Sequence, residues 1–419
     1  MIKLAQKKKL LYSFLATALL FINFNSNLDI IIMSVIVLCY ASLSLKDNLY
    51  LYIFFMPFDE ILAIPMLGSI YRIFQAIILA KIFYLFIKRK LDPRFSLSDI
   101  FLLLFLIIYI GCSIILYGNM NVLGLFINIL IVIIIRNSFI DNLDQHLSKM
   151  FKLFIFSVCM AIFWGLIHHN FMMGGDLRTI AMMRFKGTQE PNVMALYINI
   201  SILFLLYLNM QIKKKIFLLI LLYTGLFLTV SISGLVLNLA IILIVLLLNK
   251  KTYVSIKHNL SYFITLLFVI LSVVFLRNYL SFLEIPLERF QEKLNYVLQG
   301  NFNSATTGRT ELNDMYLQHF KEMALHEQIF GVFTLNANNM WNYLHLVKVN
   351  VSHNTFTDML YSFGVLGLLF LLIYVFKSLY SKINIHFFKC LLVLKITLLI
   401  SGFTLSMFDS RYFYVWMLL

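Results

Sequence analysis

His353 sits in the string Ser352-His353-Asn354-Thr355, where a long polar stretch gives way to an apolar run. An imidazole at such a border stays wet, titrates near neutral pH and can serve as a general base. The alternative is an interfacial histidine satisfied by backbone. A second group is cationic: residues 169–190 carry Arg178, Arg184 and Lys186, and residues 277–352 carry Arg277, Arg289, Lys293, Arg309, Lys321 and Lys348. Arginine presents a planar fork of donors that suits phosphate oxygens, so a phosphorylated ligand is one reason for such a set. The other is a solvated segment balanced by its own acids, since Glu284, Glu288, Glu292, Glu311 and Asp314 lie close in sequence. Trp341 and Tyr343 suit either stacking on sugar rings or anchoring at a membrane interface.

Metal chemistry finds little support. His168 and His169 are adjacent, so on a helix they point about 100° apart and cannot share one ion as an i, i+4 pair would. The polar segments contain no Asp-x-Asp pair that would hold Mg²⁺ or Mn²⁺. Cys39, Cys112, Cys159 and Cys390 all fall in apolar runs, which argues against a disulfide framework or a thiolate site. No metal and no cofactor are expected.

The elements that must position these residues follow from composition. The chain of 419 residues is 61% hydrophobic and only 13% charged. Soluble domains carry about 25% charged residues and about 45–50% apolar ones, so this much apolar surface needs lipid. A spanning helix takes about 20 apolar residues, and the runs here suffice for about 12–14 passes. Backbone polar groups must be paired in hydrocarbon, and the runs do not alternate as barrel strands would. The expected fold is therefore all-α, a polytopic membrane helix bundle. The spans are expected at 10–24, 28–45, 49–65, 68–87, 98–117, 121–137, 150–168, 191–209, 215–230, 233–249, 260–276, 354–376 and 388–406. The first resembles a signal peptide without a cleavage site and reads as a retained helix.

Charge sets the orientation. With the N-terminus in the cytoplasm, the clusters Lys88–Lys90 with Arg94, Lys213–Lys215 and Lys250–Lys251 all fall on the inner side, as do Arg136, Lys149 and Lys377. This bias also accounts for the net charge of +15, and no basic run is interleaved with aromatics as a nucleic-acid surface requires, so the lipid bilayer and not nucleic acid is the expected partner. Segments 169–190 and 277–352 then face outward. Within 277–352, Pro286, Phe290, Leu294, Val297 and Leu298 fit one helix ending at Gly300, and Leu312, Tyr316, Phe320 and Met323 fit a second over Thr310–Gln328. The expected organisation is a bundle over 1–276, a helical extracytoplasmic cap over 277–352, and C-terminal spans over 353–419. Two lysines fall inside spans: Lys81, near a cytoplasmic end, is expected to snorkel, and Lys395 has no evident place.

Three blocks carry a resemblance. They are RFKGTQEPNVMALY at 184–197, which includes Arg184, Lys186 and Asn192; Gly308-Arg309, with Gly331 downstream; and HNTFTDMLYSFGVLGLLFLL at 353–372, with His353, Asn354, Gly364 and Gly367. Together, over roughly residues 150–376, they resemble the O-antigen polymerase and O-antigen ligase (Wzy/WaaL-type) superfamily. Residues 1–150 match it only in being hydrophobic. The string LTVSISGLVL has Ile232 where that family often places an arginine after serine, so another cation, such as Arg184 or Arg289, would replace it. Arg289 and Gly300 fit a short Arg-x10-Gly spacing found in some polymerases.

The resemblance implies a GT-C-like, metal-independent membrane glycosyltransferase of a bacterial cytoplasmic (inner) membrane. Its donor and acceptor would be glycans on undecaprenyl diphosphate, and a chain-length regulator is a candidate partner. His353, Arg309 and Arg184 are the expected catalytic residues. Arg289, Lys186, Asn192, Asn354, Trp341 and Tyr343 are expected to bind substrate. The breadth of the family favours a polymerase of lipid-linked repeat units over a ligase that moves glycan onto lipid A-core or another acceptor. A lipid-linked oligosaccharide transporter is the alternative of another class.

Overall fold

The computed structural model describes residues 27–64, 68–90, 95–117, 121–138, 143–168, 171–173, 183–229, 231–249, 309–332, 354–377 and 385–403, with runs of one to four residues elsewhere. The described chain is mostly helical. Its helices are α1 (Asn27–Ser42), α2 (Leu45–Phe55), α3 (Ile70–Ile87), α4 (Leu97–Tyr117), α5 (Asn121–Ser138), α6 (Leu143–Ile167), α7 (Pro191–Tyr207), α8 (Ile212–Leu228), α9 (Ile232–Asn249), α10 (Arg309–Glu322), α11 (Leu325–Phe330), α12 (Thr355–Lys377) and α13 (Ile385–Gly402). Two short antiparallel pairs interrupt them: β1 (Ala63–Ile64) with β2 (Gly68–Ser69), and β3 (Phe171–Met173) with β4 (Met183–Phe185).

Four stretches among the described residues are long and apolar enough to cross a membrane: Ile70–Ile87, Leu97–Ile115, Asp144–Ile167 and Thr355–Val375. Shorter apolar helices cover Asp29–Ser42, Pro191–Tyr207 and Ser233–Leu248. Large apolar side chains such as Leu38, Phe83, Ile108, Ile115 and Leu243 stand exposed on these helices, which in water would be a severe liability and in lipid is the ordinary arrangement. The chain is a membrane protein. The expected spans 10–24 and 260–276 and the expected helix before Gly300 fall wholly or largely outside the described residues.

The expected span 49–65 is shorter than read. Helix α2 gives way to a 3-10 turn at Met56–Phe58, because Pro57 has no N–H to continue the ladder. The expected helix Thr310–Gln328 is two helices. Ala324 is extended (φ −60°, ψ 146°) between α10 and α11, its N–H donates to the Glu327 carboxylate (3.2 Å), and the Gln328 amide donates to the Lys321 and Met323 carbonyls (3.0 and 2.8 Å). Those carbonyls are ones a helix end leaves open.

The chain divides into two units, Met1–Asp92 with Gln145–Leu235, and Pro93–Asp144 with Val236–Leu419. In the first, α7 is the central element. Every residue from Met194 to Tyr207 is buried, which explains why its sequence is apolar on all sides. Phe151 of α6 stacks on Phe204 of α7 at 3.8 Å between ring centroids, and Asn199 satisfies its amide on the Gly234 carbonyl (2.8 Å). Lys81 reaches the turn between α1 and α2. Its ammonium is half-buried and donates to the Leu43 carbonyl and to Asn48 Oδ1 (2.6 Å), bracing that turn.

In the second unit, Ser96 and Asp99 form a reciprocal cap at the start of α4: Ser96 N–H donates to Asp99 Oδ2 (2.9 Å) and Asp99 N–H to Ser96 Oγ (3.3 Å). The other side of that carboxylate is buried. Asp99 Oδ1 accepts from Arg136 of α5 and from the Tyr374 hydroxyl of α12, and Asn137 donates to Oδ2 (3.3 Å). Lys395 of α13, whose place the sequence did not reveal, is fully buried and donates to the Val375 carbonyl (2.9 Å).

Candidate functional site

The described site residues fall into two groups, one in each unit. In the first unit, Arg184 lies in β4, paired with Met172 of β3. The chain then turns through Lys186–Glu190 into α7, whose first residue, Pro191, has a φ suited to that position. This turn is held to residues 57–60 from both sides. Thr188 Oγ1 and Gln189 Nε2 (3.2 Å) donate to the Pro57 carbonyl, the Glu190 N–H donates to Glu60 Oε1 (3.3 Å), and Lys186 Nζ pairs with Glu60 Oε2 at 3.2 Å. Lys186, expected to bind substrate, is thus charge-balanced at a half-open pair.

Asn192 is the connector of this group. Its amide donates to Glu190 Oε1 (2.8 Å), and its carbonyl oxygen accepts from Ser231 Oγ (3.0 Å). Ser231 in turn accepts from the Gly234 N–H (3.1 Å), which makes it the N-cap of α9. The asparagine of the Glu-Pro-Asn block therefore joins the N-terminus of α7 to that of α9, at the serine that precedes Ile232. Helix N-termini carry partial positive charge, and at this joined pair the Glu190 carboxylate lies beside it.

In the second unit, Arg309 is the first residue of α10, and Asn354 precedes α12. Asn354 Oδ1 accepts from the N–H groups of Phe356 (2.9 Å) and Thr357 (3.3 Å), so the residue expected at substrate also caps the helix. Helices α10 and α12 lie together: Thr357 Oγ1 donates to Asn313 Oδ1 (3.2 Å), and Tyr316 packs edge-on against Tyr361 at 5.5 Å. Burial pushes the Tyr316 phenol up to about 12, helped by the charge of Asp358. His353, Arg289, Trp341 and Tyr343 lie outside the described residues, as does most of 277–352. No group of three or more histidine, cysteine or acidic side chains able to hold a metal occurs among the described residues.

Sequence reading missed Glu60, Ser231, Asn313 and Asp358. Glu60 was hidden inside an apolar run read as one span, and Pro57 was the available signal that the run is broken. Ser231 carried the signal of a cap residue before an apolar helix. Asn313 and Asp358 carried none, because their roles depend on which helices meet.

The two kinds of contact separate by mutation. Asn192→Ala removes the Ser231 bond that joins α7 to α9, together with the bond to Glu190, and should cost about 1–3 kcal/mol, while Lys186→Met at the half-exposed pair should cost under about 1 kcal/mol. Thermal unfolding of the purified protein in detergent checks this. Equal losses for the two variants would mean that Asn192 is not the connector.

No protein-family model matches this chain, and no curated protein is detectably similar to it.

Proposed function

We propose that the chain is a polysaccharide polymerase of a bacterial cytoplasmic membrane, joining undecaprenyl-diphosphate-linked repeat units of an O-antigen or capsule type on the outer face. In this reading the bundle is GT-C-like, the N-terminus is cytoplasmic, and the helices α10 and α11 belong to an extracytoplasmic cap. The observation that carries the reading is the Asn192–Ser231 bond, which holds two helix N-termini together at the block that resembles the polymerase and ligase superfamily. A diphosphate leaving group needs fixed positive potential where its charge develops, and a preorganised pair of helix ends contributes to it without a metal.

The reaction balances simply. An acceptor sugar hydroxyl attacks the anomeric carbon of the donor, its proton passes to His353, and the bond from that carbon to the lipid diphosphate breaks. Arg309 and Arg184 stabilise the departing phosphate oxygens. Asn192, Asn354, Arg289 and Lys186 orient the substrates, and Trp341 and Tyr343 stack on sugar rings.

A ligase would use the same residues. The transporter reading gains one observation, the buried cluster Asp99, Arg136 and Lys395, since transporters place charge within the bundle. The bonds around Asp99 weigh against it: the carboxylate accepts from Arg136, Tyr374, Asn137 and Ser96 and behaves as a satisfied pin.

Deleting the gene and resolving surface and lipid-linked glycans on a gel separates all three. Single repeat units on the surface acceptor are the expected result. Full-length polymer stranded on the lipid carrier would make the protein a ligase. Repeat units that never reach the outer leaflet would make it a transporter.

A further inference from the structure

Helix α12 is broken near its middle. Gly364 takes φ +65° and ψ −176°, and Gly331, just after α11, takes φ +81°. Both lie in the region where a Cβ is strained. The two glycines also meet face to face. A Cβ on Gly331 would strike the Ser362 carbonyl and come within 2.6 Å of Gly364 N, and one on Gly364 would strike the Ile329 carbonyl and come within 2.6 Å of Gly331 N. The break frees two carbonyls that a continuous helix would use, and both are taken. Tyr361 O accepts from Val332 N–H (2.9 Å), and Ser362 O accepts from the Tyr109 hydroxyl (2.6 Å).

The half before the break is fastened to α10 and α11 as well as to the bundle, where Thr355 Oγ1 donates to the Leu405 carbonyl (2.6 Å) and Phe363 packs on Tyr109 (4.4 Å between ring centroids), while the half after it is fastened to the bundle. Above the break, Tyr361 is enclosed by Tyr316, Phe320, Met323 and Val332, and Thr357 bonds to Asn313. Below it, Tyr374 bonds to Asp99, and Val375 receives Lys395. A helix running unbroken from Thr355 to Lys377 would take its orientation from the bundle alone. In this one the first nine residues are also held by α10 and α11.

We infer that the Gly331–Gly364 contact is a latch by which the cap positions the half-helix Thr355–Phe363, and with it Asn354, making Tyr361 a positioning residue for the transfer reaction. This rests on the proposed function only for the reaction that is positioned. Interlocking at backbone level suits the task. Two carbonyl-lined glycine turns meet without intervening side chains, so the cap cannot tilt without carrying the half-helix along.

Hydrogen–deuterium exchange on the full-length protein in lipid nanodiscs tests the latch. Gly331→Ala and Tyr361→Ala should each raise exchange by about tenfold or more in residues 309–330 and 354–363 together, leaving 97–117 and 366–377 at the parent level. Tyr361→Phe keeps the ring and should restore the parent pattern. With lipid-linked repeat units, Tyr361→Ala should lower kcat with little change in KM, and Tyr361→Phe should restore it. If Gly331→Ala does not fold, the Tyr361 pair decides. A Tyr361→Ala protein whose 309–330 region loosens while 354–363 stays protected would overturn the latch. Coupled exchange with unchanged kcat would overturn its positioning role. A parent protein that forms no polymer would instead sink the polymerase reading and leave the exchange result standing.

Discussion

His353→Ala is expected to abolish chain growth while the protein remains inserted at its normal level. A positioned general base contributes about 10²–10⁴ in rate, and a loss of that size leaves only single repeat units on a gel. The prediction rests on the place of His353 directly before the asparagine that caps α12. That cap fixes where the backbone enters the helix at Asn354. Surface glycan length and membrane-fraction immunoblots measure the two halves of the expectation. Normal polymer lengths in the variant would remove the imidazole from the mechanism. Lost polymer with lost protein would make its role structural.

Arg136→Met should be the most damaging single change away from the site. Asp99 is fully buried and takes its one cationic partner among the described residues in direct contact from Arg136. Removing that partner strands a carboxylate inside the bundle, which costs about 3–5 kcal/mol. Against a total stability of about 5–15 kcal/mol, that is enough to unfold much of the population. The double variant Asp99→Asn with Arg136→Met should recover a large part of the loss, because the neutral amide can keep bonds to Tyr374 and Ser96. Fluorescence-detected size exclusion after heating would show the order: parent, double variant, Arg136→Met. If Arg136→Met is as stable as the parent, the cluster is not a structural pin and the transporter reading regains its weight.

The helical, membrane-embedded character and most helix positions were legible because they depend on local properties. Apolar runs of spanning length bounded by polar residues gave α3, α4, α5, α7, α9 and α12 to within a few residues. Cap chemistry was legible in principle as well, at Ser96, Ser231 and Asn354, since an N-cap acts on N–H groups two or three residues away. The breaks were harder. Pro57 announces its own by lacking an N–H. Gly364 does not, because glycine is common in membrane helices, and nothing local says that this one is unwound.

The candidate site divides along the same line. The residue types that suit phosphate and proton chemistry, and their order along the chain, are properties of the sequence. What those residues touch is not. Lys186 reads as a free cation until Glu60 is found beside it, and the partner of Lys81 is unknown until the Leu43 carbonyl is found in its path. Lys395 had no reading at all until α12 brought Val375 to it. Hydropathy and periodicity are sums over neighbouring residues, so the sequence alone determined where helices form and that they need lipid. Charge balance, buried hydrogen bonds and the meeting of Gly331 with Gly364 depend on atoms far apart in the chain, so only the tertiary structure decided them.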